Sequence, residues 1–76
     1  MEKKKEKIHM GRLILQKLKE QERSIAWLAR QLSCDDANLG RVLRDSKYIH
    51  SELIYRISEV LKENLFAYYD AELNEL

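Results

Sequence analysis

Cys34, Asp35, Asp36 and His50 form the grouping in this chain best suited to hold a metal or supply a nucleophile. Zinc needs three or four ligands converging tetrahedrally, and three consecutive residues entering a helix cannot all point one way. Cys34 is therefore expected as a small core residue at a turn. His9 and His50 have no sequence neighbour that would complete a catalytic pair, so both are expected on the surface or in loops. The chain carries no Gly-rich phosphate loop and no paired-carboxylate spacing. With 76 residues it is also short for enclosing an active-site cleft. These features point away from an enzyme, and no metal or other cofactor is expected.

The charges suggest a different chemistry. The formal net charge is only +1, but its distribution is uneven. From Met1 to Arg56, 13 Lys and Arg stand against 8 Asp and Glu; from Ile57 to Leu76 the balance is 1 against 5. A basic body with an acidic end suits a polyanionic partner on one face, although an acidic solvated end is common in helical proteins.

The elements that position these groups read as helices. Pro is absent, and Gly occurs twice, at Gly11 and Gly40, which disfavours hairpins. Residues 1–7, MEKKKEK, read as a charged arm. Apolar periodicity runs from near Ile8 to about Glu22, with Ile14 and Leu18 at i,i+4 and Leu15 beside them. Ser24 is a fitting N-cap for a second helix, in which Ile25, Leu28, Ala29 and Leu32 share one face. Asp35 is an N-cap for a third, with Leu39, Val42 and Leu43 inward. DSKYIH reads as a loop, and Ser51 is expected to cap a fourth helix that turns Leu53, Ile54, Ile57, Val60 and Leu61 inward. Asn64 closes that helix and opens a short fifth through Leu65, Phe66 and Tyr69, with Phe66 and one tyrosine completing the core. The expectation is an all-α compact bundle of about five short helices: an arm over 1–7, a domain over 8–70 and an acidic tail over 71–76. No apolar run approaches the roughly 18–20 residues that span a bilayer. The charged N-terminus is unlike a signal peptide, and one cysteine excludes an internal disulfide, so a cytoplasmic setting is expected.

The most informative stretch is Ser24 to Asp45, SIAWLARQLSCDDANLGRVLRD. Two short helices joined by about three residues, Ser33 to Asp35, require a small residue where their backbones meet, and Ala29 falls there. Leu28, Leu32, Cys34, Leu39 and Val42 are expected to pack on both sides of the corner. This stretch resembles the helix-turn-helix of the Cro/C1-type (XRE-like) family of small DNA-binding regulators, whose fold is lambda-repressor-like. The resemblance spans roughly Met10 to Tyr69 and is nearest to short single-domain members from Bacteroidetes-like bacteria, through LKEQERSIAWLARQLSC and LIYRISEVL.

The resemblance implies sequence-specific binding of double-stranded DNA as a transcriptional regulator, with a recognition helix over about 35–44 in the major groove. By position it assigns base contacts to Asp36, Ala37, Asn38 and Arg41, with Gly40 flanking. Arg41 suits guanine O6 and N7, and Asn38 suits adenine or a phosphate. It assigns phosphate contacts to Ser24, Arg44, Lys47, Tyr48 and His50. Homodimerisation and residence on the nucleoid follow from the same analogy. The chain departs from the family pattern in three places. Asp35 and Asp36 bring two carboxylates to a DNA-facing helix end, Gly40 sits inside the recognition helix, and Ser33 replaces a turn glycine. These departures and the low net charge motivate an alternative, a protein-interaction module with weak or no DNA binding. Trp27 lies off the apolar stripe and is expected to be half-buried. Any exposed part of the late aromatic group, Phe66, Tyr68 and Tyr69, is a possible protein-partner surface.

Overall fold

The computed structural model describes residues 8–74. Five helices follow one another: α1 (Met10–Glu20), α2 (Ile25–Leu32), α3 (Asp36–Asp45), α4 (Ser51–Leu61) and α5 (Phe66–Leu73). The described residues contain no strand, so the fold is the all-α bundle expected. The arm over 1–7 and the last two tail residues lie outside the described residues.

The core forms where the apolar stripes of the helices meet. Met10, Ile14 and Leu18 from α1 join Leu28, Ala29 and Leu32 from α2, Leu39 and Leu43 from α3, and Ile54, Ile57 and Leu61 from α4. Leu53, Val60 and Trp27 are half-buried around them. α1 packs mainly on α3, α3 on α2, and α2 on α4. No helix among the described residues is long and apolar enough to cross a membrane.

Local chemistry sets the helix ends. Ser24 and Asp35 cap as expected: the Ser24 hydroxyl accepts the Trp27 N–H at 3.0 Å, and an Asp35 carboxylate oxygen accepts the Asn38 N–H at 2.9 Å. The fourth cap differs. His50, not Ser51, precedes α4, and its Nδ1 accepts the Glu52 N–H at 3.1 Å. His9 caps α1 in the same way, accepting the Arg12 N–H at 3.1 Å. An imidazole nitrogen with a free lone pair replaces a hydroxyl or carboxylate here, so both histidines, His9 half-buried and His50 exposed, are structural caps.

Three helices end with a non-glycine residue in the left-handed region: Glu22 (φ 57°) after α1, Ser33 (φ 58°) after α2 and Lys62 (φ 57°) after α4. In each case the next N–H reaches back across the turn: Arg23 to the Leu18 carbonyl, Cys34 to Ala29, and Glu63 to Ser58. This is the Schellman pattern, which satisfies the last carbonyls of a helix. Lys62 therefore closes α4, whereas Asn64 only leads into α5, its side chain accepting the Phe66 N–H. Side chains from other elements cap two further carbonyls: the Arg56 guanidinium donates to Leu32 O, and Gln21 Nε2 donates to Leu61 O.

The packing corrects three expectations. Cys34 is exposed, because its N–H is committed to the Ala29 carbonyl just after left-handed Ser33, and Ala29, Leu32 and Leu39 already fill the corner. Leu65, not Phe66, completes the core over α4; it is fully buried, while Phe66 is 37% exposed. Ile49, read as part of a polar loop, is also buried and anchors that loop to the core. In addition, the segment read as a tail from residue 71 is still helical through Leu73.

α5 has no fully buried residue; Tyr68 and Tyr69 rest half-buried against the core, and polar contacts tie the helix down beside them. The Tyr68 hydroxyl donates to Glu63 at 2.8 Å, and Lys17 of α1 pairs with the same carboxylate oxygen at 3.1 Å. The Lys17 ammonium also lies 5.0 Å from the Tyr68 ring centroid. Near the other end of α5, the Ile8 N–H donates to Glu72.

Candidate functional site

Leu39 and Leu43 are drawn into the core, and that burial dictates which residues of α3 face outward. Ala37, Arg41 and Arg44, at i, i+4 and i+7, make one exposed stripe, with Asn38 beside it. α3 is held from two sides. The Ser33–Asp35 connection fixes its start against α2, while the N-terminus of α1 docks on its far end. There the Met10 N–H donates to Lys47 O at 3.0 Å and the Gly11 N–H to Ser46 O at 3.3 Å. Two α1 donors that a helix cannot satisfy internally are thus met by the chain leaving α3.

Between α2 and α3 runs a shallow, open groove of about 440 Å³. Ile25 and Ala26 line it from α2; Asp36, Ala37, Gly40, Arg41 and Arg44 line it from α3. The structure thereby brings together four of the expected contact residues: Asp36, Ala37, Arg41 and Arg44. Asn38 stands just outside and is linked to the group, its Oδ1 accepting from Arg41 Nη1 at 3.1 Å. Ser24 precedes the two α2 residues of the groove, and its hydroxyl is already used as a cap. Sequence reasoning missed Ile25 and Ala26 as lining residues. The signal was present in the Ser24 cap, which places the first turn of α2 beside the start of α3.

Arg44 was expected at the far end of α3 with Lys47, Tyr48 and His50, yet it lines the groove. Its side chain runs back towards the helix N-terminus, as helical side chains do, and passes over the bare Cα of Gly40. A Cβ on Gly40 would stand 3.2 Å from Arg44 Nη1 and 3.7 Å from Ile25 Cδ1. Lys47, Tyr48 and His50 do not line the groove. Lys47 lies over the Tyr48 ring at 5.8 Å, and Tyr48 is 66% exposed. Burial, and then the neighbouring Tyr48 phenol and Glu72 carboxylate, push the Tyr69 hydroxyl above the usual tyrosine range.

The groove presents one carboxylate, Asp36, against two guanidinium groups. No ion pair among the described residues involves Asp36, Arg41 or Arg44. No group of three His, Cys, Asp or Glu side chains that could hold a metal occurs among the described residues. The late aromatic residues do not gather into one surface: Tyr68 and Tyr69 are half-buried against the core, and Phe66 is turned outward.

Comparisons with protein-family models, with curated proteins and with solved structures find no match to this chain.

Proposed function

We propose that this protein binds double-stranded DNA sequence-specifically and regulates transcription by occupying an operator, without performing chemistry. The observation that carries this reading is the exposed stripe of Ala37, Arg41 and Arg44 on a helix anchored at both ends, with both guanidiniums free of ion pairs among the described residues. α3 is a 10-residue α-helix, and a helix about 10–12 Å across with its side chains fits a major groove about 12 Å wide. In this reading Arg41 pairs with a guanine edge, Asn38 supports Arg41 or reads an adenine, and Ala37 offers a methyl to thymine. The first turn of α2, behind Ser24, meets a phosphate. Lys47, Tyr48 and His50 contact the backbone beyond the end of α3. A homodimer reading two half-sites about 34 Å apart would supply the affinity that one module lacks.

Binding to random duplex DNA as a function of salt tests this. The expected result is a linear fall of log K with log salt, with a slope of about −0.9 per phosphate contacted. Selection from a random pool should then return a two-fold symmetric sequence. Absence of binding at low salt by helical, folded protein would overturn the reading.

One observation favours a second reading, a protein-interaction module. Asp36 is exposed at the start of α3 and interrupts the positive stripe where a base-reading helix approaches DNA. A folded protein that ignores duplex DNA at all salt concentrations is the outcome this reading expects.

A further inference from the structure

We infer that Gly40 is a positioning residue for recognition, the seat on which the Arg44 guanidinium folds back to enter the same groove as Arg41. The inference rests on the DNA-binding reading above. It changes the role of Arg44 from a phosphate contact at the end of α3 to a contact with base edges in its middle.

Three observations carry it. First, Gly40 is a buried residue in the interior of a helix, where glycine is less favourable than alanine. No backbone requirement explains that cost, because Gly40 is not among the residues of positive φ. Second, the space beside it is occupied by one flexible group. The nearest atom to a Cβ at this position is Arg44 Nη1 at 3.2 Å, whereas Ile25 Cδ1 at 3.7 Å is in ordinary contact. The glycine therefore makes room for the guanidinium and not for the neighbouring helix. Third, Arg44 lines the groove with Ala37 and Arg41, its guanidinium lying beside Gly40, one turn nearer the helix start than its own Cα. Two guanidiniums on one face, neither in an ion pair among the described residues, can each donate two parallel hydrogen bonds and so read two guanines in adjacent steps.

The test is a double-mutant cycle with Gly40→Ala and Arg44→Ala, read on the duplex recovered by selection from a random pool and on its single-base variants. Thermal melting of each variant is followed alongside. Gly40→Ala should bind the selected duplex at least about fivefold more weakly, while melting no lower than the wild type. In the Arg44→Ala background, Gly40→Ala should change affinity by less than about twofold, since there is then no guanidinium to displace. An unchanged affinity for Gly40→Ala overturns the inference. So does an equal loss in both backgrounds, which would mean that the DNA itself approaches the bare Cα. In either case the DNA-binding reading stands, because the wild type binds. A wild type that selects no duplex overturns that reading instead, and the role of Gly40 falls with it. If Gly40→Ala melts well below the wild type, α2 is pressed on that position and the inference is likewise overturned.

Discussion

Gly11 of α1 rests against the main-chain carbonyl of Leu43 in α3. A Cβ at Gly11 would lie 2.8 Å from the Leu43 carbonyl carbon and 2.8 Å from the Ser46 oxygen, and nearer still to the Leu43 oxygen. Every one of these atoms is backbone and cannot swing aside. Gly11→Ala must therefore push α1 off α3 and break the Met10 and Gly11 N–H bonds to Lys47 and Ser46. The expected loss is about 3 kcal/mol, at the upper end for overpacking. That is a large fraction of the roughly 4–11 kcal/mol available to a domain of this size. Urea unfolding measures it, and a midpoint within error of the wild type would remove the contact from consideration.

Gly40→Ala should have the opposite sign. Its Cβ meets only the end of the exposed Arg44 side chain closely, and alanine gains about 1 kcal/mol of helix propensity. A rise in melting temperature of several degrees is expected for a domain this small. A fall of similar size would mean that Ile25 cannot accommodate the methyl.

Glycine should also help at the ends of helices. Ser33 and Lys62 hold left-handed backbone without being glycine, at a cost of about 1 kcal/mol each. Ser33→Gly and Lys62→Gly should each stabilise by up to about that amount, partly offset by the freer unfolded chain. Because the two turns are separate, the double variant should show the sum. Chemical denaturation of the two single variants and the double variant checks both statements.

Acid should loosen the docking of α5. The Tyr68 hydroxyl, and then the Lys17 ammonium, hold the Glu63 carboxyl below its ordinary value of 4.5. A depressed folded pKa contributes stability that is fully present above the unfolded value and is lost as pH falls through the folded one. Lys17 behaves conversely. The Tyr68 and Glu63 hydrogen bonds raise it well above 10.5, so its contribution holds below that value and disappears only in strong alkali. Melting temperature should drop between pH 5 and pH 3 in the wild type, and less steeply in Glu63→Gln. The Tyr68 ring resonances should report the release. Equal slopes for the two proteins would count against the network.

On DNA, Arg41→Ala should cost about 1–3 kcal/mol on the selected sequence and relax the preference at one base position. Lys47→Ala, at a position proposed to meet a phosphate, should weaken all duplexes alike and reduce the salt slope by about one. Competition among single-base variants of the selected duplex distinguishes the two. Undiminished discrimination by Arg41→Ala would remove it as a reader.

The helices were legible in the sequence because what makes them is local. The 3.6-residue period of Ile14 and Leu18, of Leu28 and Leu32, and of Ile54, Ile57 and Leu61 reports burial directly. Ser24 and Asp35 mark helix starts through bonds that span only three residues. The outward stripe of Ala37, Arg41 and Arg44 follows from the same period once Leu39 and Leu43 are inside. Less legible were the choices between near-equivalent residues. Leu65 and Phe66 are both apolar neighbours, and only the angle at which the chain leaves α4 decides that leucine enters the core. His9 and His50 became caps because the backbone brought an N–H to each Nδ1, a role their residue type seldom signals.

Local pattern was enough for an all-α chain of five helices, for most residues of its core stripes though not for half-buried Val42, and for a short α2–α3 connection followed by a helix that displays basic side chains. The tertiary structure alone decided which glycine is indispensable. Gly40 drew attention because it interrupts a helix, a local anomaly, whereas Gly11, at the start of α1, breaks no pattern. The approach of Gly11 to Leu43 is a distance between residues far apart in the chain, set by how α1 lies on α3, and no local propensity encodes it. The same holds for the exposure of Cys34 and for the inward fold of Arg44. Each depends on which atoms already occupy the space around it, and packing fills that space only when the helices meet.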